Sequence, residues 1–171
     1  MRKWSLLSIP YVELHCHSGF SFLDGASHPE ELAVRAAEFG YPALALTHHH
    51  NGLYGSMEFA HAARRVNVQP ITGAEVTLRD CFPGVEEPEG GHHVTLLAET
   101  PQGYANLCRL LTEAHMGSER GDTRLALPSL LELSEGLILL SGCAQSPVAA
   151  AMRSSVADGE AFTRKLLDVF G

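Results

Sequence analysis

The sequence predicts an α/β fold built from parallel βαβ units. Short strand-like apolar runs alternate with stretches of helical period along the whole chain. The length of 171 residues and the 45% apolar content are enough for one domain with a real core. There is no internal repeat and no low-complexity tract.

Residues 11–16 alternate as a first strand and run into His15-Cys16-His17. A helix follows. Ser27 is placed as its N-cap, Pro29 suits its first turn, and Glu30 completes a capping box. Leu32, Ala36 and Phe39 fall on one face, and Gly40 ends the helix as a C′ residue would. Residues 43–47 form a short buried strand, followed directly by His48-His49-His50. A helix at 56–66 leads to a strand at 68–78, with Gly73 inside it and Glu75 late in it. Residues 79–91 are a loop rich in Pro, Gly and Glu. His92-His93 precedes a strand at 94–98. The helix at 101–115 has an apolar face of Leu107, Leu110, Leu111 and Ala114. A polar loop at 117–124, a strand at 137–140 and a last helix at 161–170 complete the chain.

Composition excludes several classes. No apolar run reaches the roughly 20 residues of a membrane span. The start is basic, but its apolar stretch is too short for a signal peptide, which points to the cytoplasm. Cys16, Cys81, Cys108 and Cys143 form no CxxC pair, so free thiols are expected, with a metal-ligand role open to one of them. A net charge of -8 argues against gripping nucleic acid unaided, since phosphate binding needs Lys and Arg. Metal ions would reverse that local charge.

Histidine and carboxylate are the usual ligands of zinc, manganese and iron, and in α/β folds chemistry gathers at the carboxyl ends of the strands. His15 and His17, two apart on a strand, reach the same side. At least one of the three consecutive histidines is expected as a loop ligand. Glu75 is a carboxylate in an apolar strand and needs a partner; Gly73 and Ala74 before it allow close approach. Of His92 and His93 only one should face a site. His93 begins its strand, so either that strand runs antiparallel or the site is not confined to one rim. From position alone Asp24 is a turn-capping residue and Cys143 a small buried hydrophobe. His28, His61 and His115 read as solvated or capping.

Six stretches, in order along nearly the whole chain, resemble the PHP (polymerase and histidinol phosphatase) domain. They are Glu13-Leu-His-Cys-His-Ser18, Phe22-Leu-Asp-Gly-Ala26, Ala45-Leu-Thr-His-His-His-Asn-Gly-Leu-Tyr-Gly55, Thr72-Gly-Ala-Glu75, His93-Val-Thr-Leu-Leu-Ala98 with Gly103-Tyr-Ala-Asn-Leu107, and Leu140-Ser-Gly-Cys143. The pattern is most similar to the amino-terminal PHP domain of bacterial DNA polymerase III alpha subunits. Residues 115–125 look most like the error-prone paralogue.

The resemblance implies a distorted (β/α)7 barrel, TIM-barrel-like, holding up to three divalent metal ions (zinc, manganese or iron). It implies ligands at His15, His17, Asp24, one of the 48–50 cluster, Glu75, His93 and Cys143. Counted from the amino-terminal side the cluster ligand is His49; counted back from Asn51 it is His50. Two departures stand out. The family's usual Thr-Asp-His reads Thr-His-His-His here, which removes a carboxylate that supports a ligand. The family's last Asp-x-His ligand pair has no counterpart after Cys143. Residues 1–171 therefore read as a single PHP domain lacking its C-terminal part, with no polymerase core.

The implied activity is metal-assisted phosphoester hydrolysis, as 3′–5′ exonuclease proofreading on DNA within a polymerase. Partners would be DNA in that context and other polymerase domains or replisome subunits, with no membrane. The alternatives are a weakly active or inactive structural module and a small-molecule phosphatase of the histidinol-phosphatase type. No separate general base is assigned.

Overall fold

The computed structural model describes residues 11–48, 51–82, 87–88, 90–119 and 121–171. Its strands are β1 (Glu13–Cys16), β2 (Ala43–His48), β3 (Gln69–Arg79), β4 (His92–Ala98), β5 (Leu125–Ala126) and β6 (Leu137–Leu140). They form one curled sheet, like half a barrel, in the order β1-β2-β3-β4-β6, with β5 paired onto β3. The helices are α1 (Pro29–Glu38), α2 (Ser56–Arg65), α3 (Pro101–Met116), α4 (Leu127–Glu132), α5 (Pro147–Ser154) and α6 (Val156–Phe170).

The expected parallel βαβ units account for most of the sheet, and the strand that begins at His92 takes the antiparallel course that the position of His93 left open. β1, β2, β3 and β5 pair parallel, but β4 runs antiparallel to both β3 and β6. A parallel return needs a crossover, usually helical. No helix is assigned between β3 and β4 among the described residues, and the chain reverses there. This reversal brings the start of β4 to the end of the sheet where β1, β2 and β3 finish.

Alternation along the strands separates core from site. Ala74, Val76 and Leu78 of β3 and Val94 and Leu96 of β4 pack with Leu107, Leu110 and Leu111 of α3 and Phe162 and Leu166 of α6. A second apolar cluster joins Leu44 and Leu46 of β2 to Ala33 and Ala36 of α1 and Phe59 and Ala63 of α2. Burying a side chain such as Phe59 or Leu46 stabilises by about 1.5–3 kcal/mol. The residues between, Glu75 of β3 and His93 and Thr95 of β4, line the opposite face.

Local signals set the helix ends. The N-cap of α1 is His28, not Ser27. Pro29 takes the first helical position, and Glu31 rather than Glu30 accepts the His28 N–H at 2.8 Å. Gly40 has φ +72°, as a C′ residue requires. The expected last helix begins earlier, at Val156, where Ser155 Oγ accepts the Asp158 N–H at 3.0 Å. α5, capped by Ser146, and the short β5 and α4 were not anticipated. Among the described residues no helix is long and apolar enough to cross a membrane.

Candidate metal centre

The end of β1 and the late part of β3 bring three donor side chains together. The ligand atoms of His15, His17 and Glu75 all lie within 4.8 Å of one another. His15 Nε2 is 2.8 Å from Glu75 Oε2 and 3.2 Å from His17 Nε2. The two imidazoles meet edge to face with centroids 4.7 Å apart. A cation fits this arrangement better than protons do. A neutral ring nitrogen either donates or accepts, yet His15 Nε2 faces a carboxylate oxygen and a second ring nitrogen at once. A divalent ion accepts lone pairs from all three groups.

β4 contributes His93 because it runs antiparallel, the first of the two possibilities left open by the sequence. His93 Nδ1 is 3.0 Å from Glu75 Oε1 and Nε2 is 2.9 Å from the Gly90 carbonyl oxygen, and the protonated ring donates to both. Glu75 is thus shared between His15 and His93, which supplies the partner that its burial demands. His93 stands beside the group of three rather than within it. His92 turns the other way, its ring edge against Phe82.

The Asp24 carboxylate contacts His17 Nδ1, so it reaches the site from the turn after β1. Cys143 is exposed rather than a buried small hydrophobe; its Sγ accepts the Gln145 N–H at 3.3 Å. Gly142 lets this turn lie on the start of β4: a Cβ there would be 2.6 Å from the His93 carbonyl oxygen. All four cysteines are free. His49 and His50 lie outside the described residues. His28 and His61 are exposed, and neither lines the cleft.

The donors line an open cleft of about 640 Å³ that also presents Glu13, Cys16, Asp24, Cys143 and Gln145. No Arg or Lys is among these lining residues, so the cleft is acidic. Its titration follows from Glu75. The hydrogen bond to Glu75 raises the pKa of both His15 and His93 above the ordinary histidine value, against the opposing effect of burial. The Tyr11 hydroxyl, donating at 2.6 Å, holds the Glu13 carboxyl below its usual range.

The sequence reading passed over His48 and Ser18 as individual residues. His48 is wholly buried at the end of β2, with Nε2 2.8 Å from Ser18 Oγ. Its Nδ1 has no hydrogen-bond partner among the described residues. Burial pushes its pKa down to about 4, with the neighbouring His17 adding to the effect, so it is neutral at pH 7. The signal was the unbroken run from an apolar strand into His48, which makes that histidine part of the strand.

A family model described as the PHP domain matches residues 13–171. The error-prone DNA polymerase of Cutibacterium acnes is 40% identical over 95% of this chain and 15% of its own length. That of Symbiobacterium thermophilum is 43% identical over 91% of this chain and 15% of its own. The DNA polymerase III alpha subunit of Chlamydia pneumoniae is 39% identical over 84% of this chain and 12% of its own. This chain therefore spans less than a fifth of the length of these relatives. The matched span takes in every residue lining the cleft, and the chain belongs to the PHP domain family.

Proposed function

We propose that this chain is the metal-binding phosphoesterase module of an alpha-type, error-prone-like DNA polymerase, with the 3′ end of a DNA strand as its substrate. The convergence of His15, His17 and Glu75 in a cleft whose described lining residues include no Arg or Lys carries the reading. Such a cleft repels a phosphodiester until cations occupy it. His15, His17 and Glu75 would hold the first ion. Asp24, His93, Cys143 and one of His49 and His50 would hold up to two more, with zinc, manganese or iron as the ions. When bound, the metal supplies Lewis-acid stabilisation of phosphate oxygens and an activated water.

The protein's own part is positioning. Glu75 orients His93 through one oxygen and would share the ion with His15 through the other, while Asp24 orients His17 through Nδ1 and leaves its Nε2 for the ion. The rest of such a polymerase, and its replisome partners in the cytoplasm, would deliver the strand. Glu75 and Gly90 occupy both ring nitrogens of His93, which favours a second reading, a structural module with weak hydrolysis. A small-molecule phosphatase gains no support from the described lining residues, which include no arginine.

The test is elemental analysis of metal per chain after dialysis, with the double variant His15→Ala, Glu75→Ala as control. Near-stoichiometric metal, lost in the control, supports the reading; metal no higher than the control refutes it. A labelled oligonucleotide then separates the two forms. We expect slow 3′ shortening from the 171-residue chain alone. Rapid shortening abolished by His15→Ala would rule out the structural-module form.

A further inference from the structure

β3 carries Glu75 at a gap in the sheet. On the side of β3 facing β2, the last strand pair is His48 with Ala74. On that side β5 takes over only at Leu78, paired with Leu125. The Glu75 carbonyl and the Thr77 N–H project into the space between, as groups two residues apart on a strand do. Among the described residues neither meets a strand there.

Asn51 fills the gap. Its backbone N–H donates to the Glu75 carbonyl at 3.2 Å, and its side-chain Oδ1 accepts the Thr77 N–H at 3.0 Å. One residue thus supplies both halves of the missing ladder, one from its main chain and one from its amide. The amide Nδ2 donates to the Thr123 carbonyl at 2.9 Å, just before β5. The Asn51 carbonyl in turn accepts His115 Nε2–H at 2.8 Å from the last turn of α3. The residue is 2% exposed and sits at φ +57°, a left-handed conformation that Asn tolerates better than most residues.

Resting on the reading of the cleft as a metal centre, we propose that Asn51 is a positioning residue for that centre. It is an amide plug that fixes the β3 backbone at Glu75 and so aims the carboxylate shared by His15 and His93. It ligates nothing and acts only through Glu75. Its side chain joins β3 to the loop before β5 and its carbonyl holds the end of α3, so Asn51 ties the late part of β3 and the end of α3 into one support.

Two variants of the 171-residue chain test this. Asn51→Gly keeps the positive φ without strain and removes only the amide. Asn51→Asp keeps an acceptor for the Thr77 N–H and, with its buried carboxyl protonated, a donor for the Thr123 carbonyl. In metal-free protein, amide hydrogen exchange at Thr77 should speed up by about tenfold or more in Asn51→Gly and stay near wild type in Asn51→Asp. In titrations with Co²⁺, followed by its visible absorption, Asn51→Gly should bind about 10–100-fold more weakly than wild type. Asn51→Asp should remain within about threefold of wild type, since the Thr77 link survives. A folded Asn51→Gly with wild-type Co²⁺ affinity overturns the proposal, even if its melting temperature has fallen. If Asn51→Gly does not fold, Asn51→Asp decides: binding about tenfold weaker in a folded Asn51→Asp also overturns it. Wild-type protein that takes up no Co²⁺ removes the metal reading and this proposal together. Wild-type uptake matched by Asn51→Gly removes this proposal alone.

Discussion

Replacing Gly73 with alanine sets two effects of opposite sign against each other. Glycine inside a strand is costly, and adding a methyl group where the backbone allows it stabilises by about 0.4–1 kcal/mol, mainly by restricting the unfolded chain. By that argument Gly73→Ala should help. Gly73, however, lies between two strands, paired with Thr47 of β2 and Leu97 of β4. A Cβ at this position would stand 2.5 Å from the Leu96 carbonyl oxygen, 2.7 Å from Leu97 Cδ2 and 2.9 Å from Thr47 Cγ2. The two side-chain ends can swing away, but the carbonyl belongs to β4 and moves only with the strand. Overpacking of this kind costs about 1–3 kcal/mol and outweighs the entropic gain, for a net loss of about 1–2 kcal/mol. In a chain of this size that is a melting temperature lower by about 2–8 °C. The displaced segment lies two residues before Glu75 and carries β4 with His93, so metal affinity should fall as well. Thermal melting in chelator gives the first quantity, and Co²⁺ titration the second. A Gly73→Ala chain that melts at or above wild type would show that the spacing of β3 and β4 near the site is soft, and the reasoning would fail.

Further outcomes follow from the same geometry. Zn²⁺ or Mn²⁺ at about 100 times its dissociation constant should stabilise the chain by about 2.7 kcal/mol, raising its melting temperature by about 5–11 °C. The double variant His15→Ala, Glu75→Ala should show no such rise in the same scan. In chelator, the raised pKa values of His15 and His93 mean that their pairing with Glu75 stabilises fully below pH 6.5 and fades as pH rises through the folded values. Glu75→Gln should flatten that decline; an unchanged melting-temperature profile would contradict the shared-carboxylate arrangement. The sign reverses for His48, whose pKa falls from 6.5 to about 4 on folding. Its contribution is present above pH 6.5 and lost as pH drops toward 4, so the stability gap between wild type and His48→Gln should narrow over that window.

The sequence alone determined the elements and the donor types. Period and capping located α1, α2, α3, β2, β3 and β6 to within a residue or two, because each signal is local: an apolar stripe, a proline in the first turn, a glycine after the last. The same locality explains the shift from Ser27 to His28 at the start of α1, since Pro29 selects the first helical position more sharply than a serine selects the cap. Local signals also existed for α5 and α6, in Ser146-Pro147 and in Ser155 before Asp158, but they border short or glycine-interrupted apolar patterns and carry less weight. The histidines and Glu75 could be picked out as a set because carboxylate and imidazole are chemically conspicuous in apolar strands.

What only the tertiary structure decided is direction and pairing. Nothing in residues 92–98 says which way they run. The reversal of β4 is settled by its antiparallel pairing with β3 and β6, and it turns His93 from a misfit at the start of a strand into the partner of Glu75. Asn51 is likewise invisible in one dimension. A strand pattern shows which residues line a face, but not where a neighbouring strand stops. Among the described residues, the gap beside Glu75 lies between the last β2 pair, at His48, and the first β5 pair, at Leu125. Periodicity is set by each residue's own backbone, whereas a missing ladder partner depends on where other parts of the chain end in space.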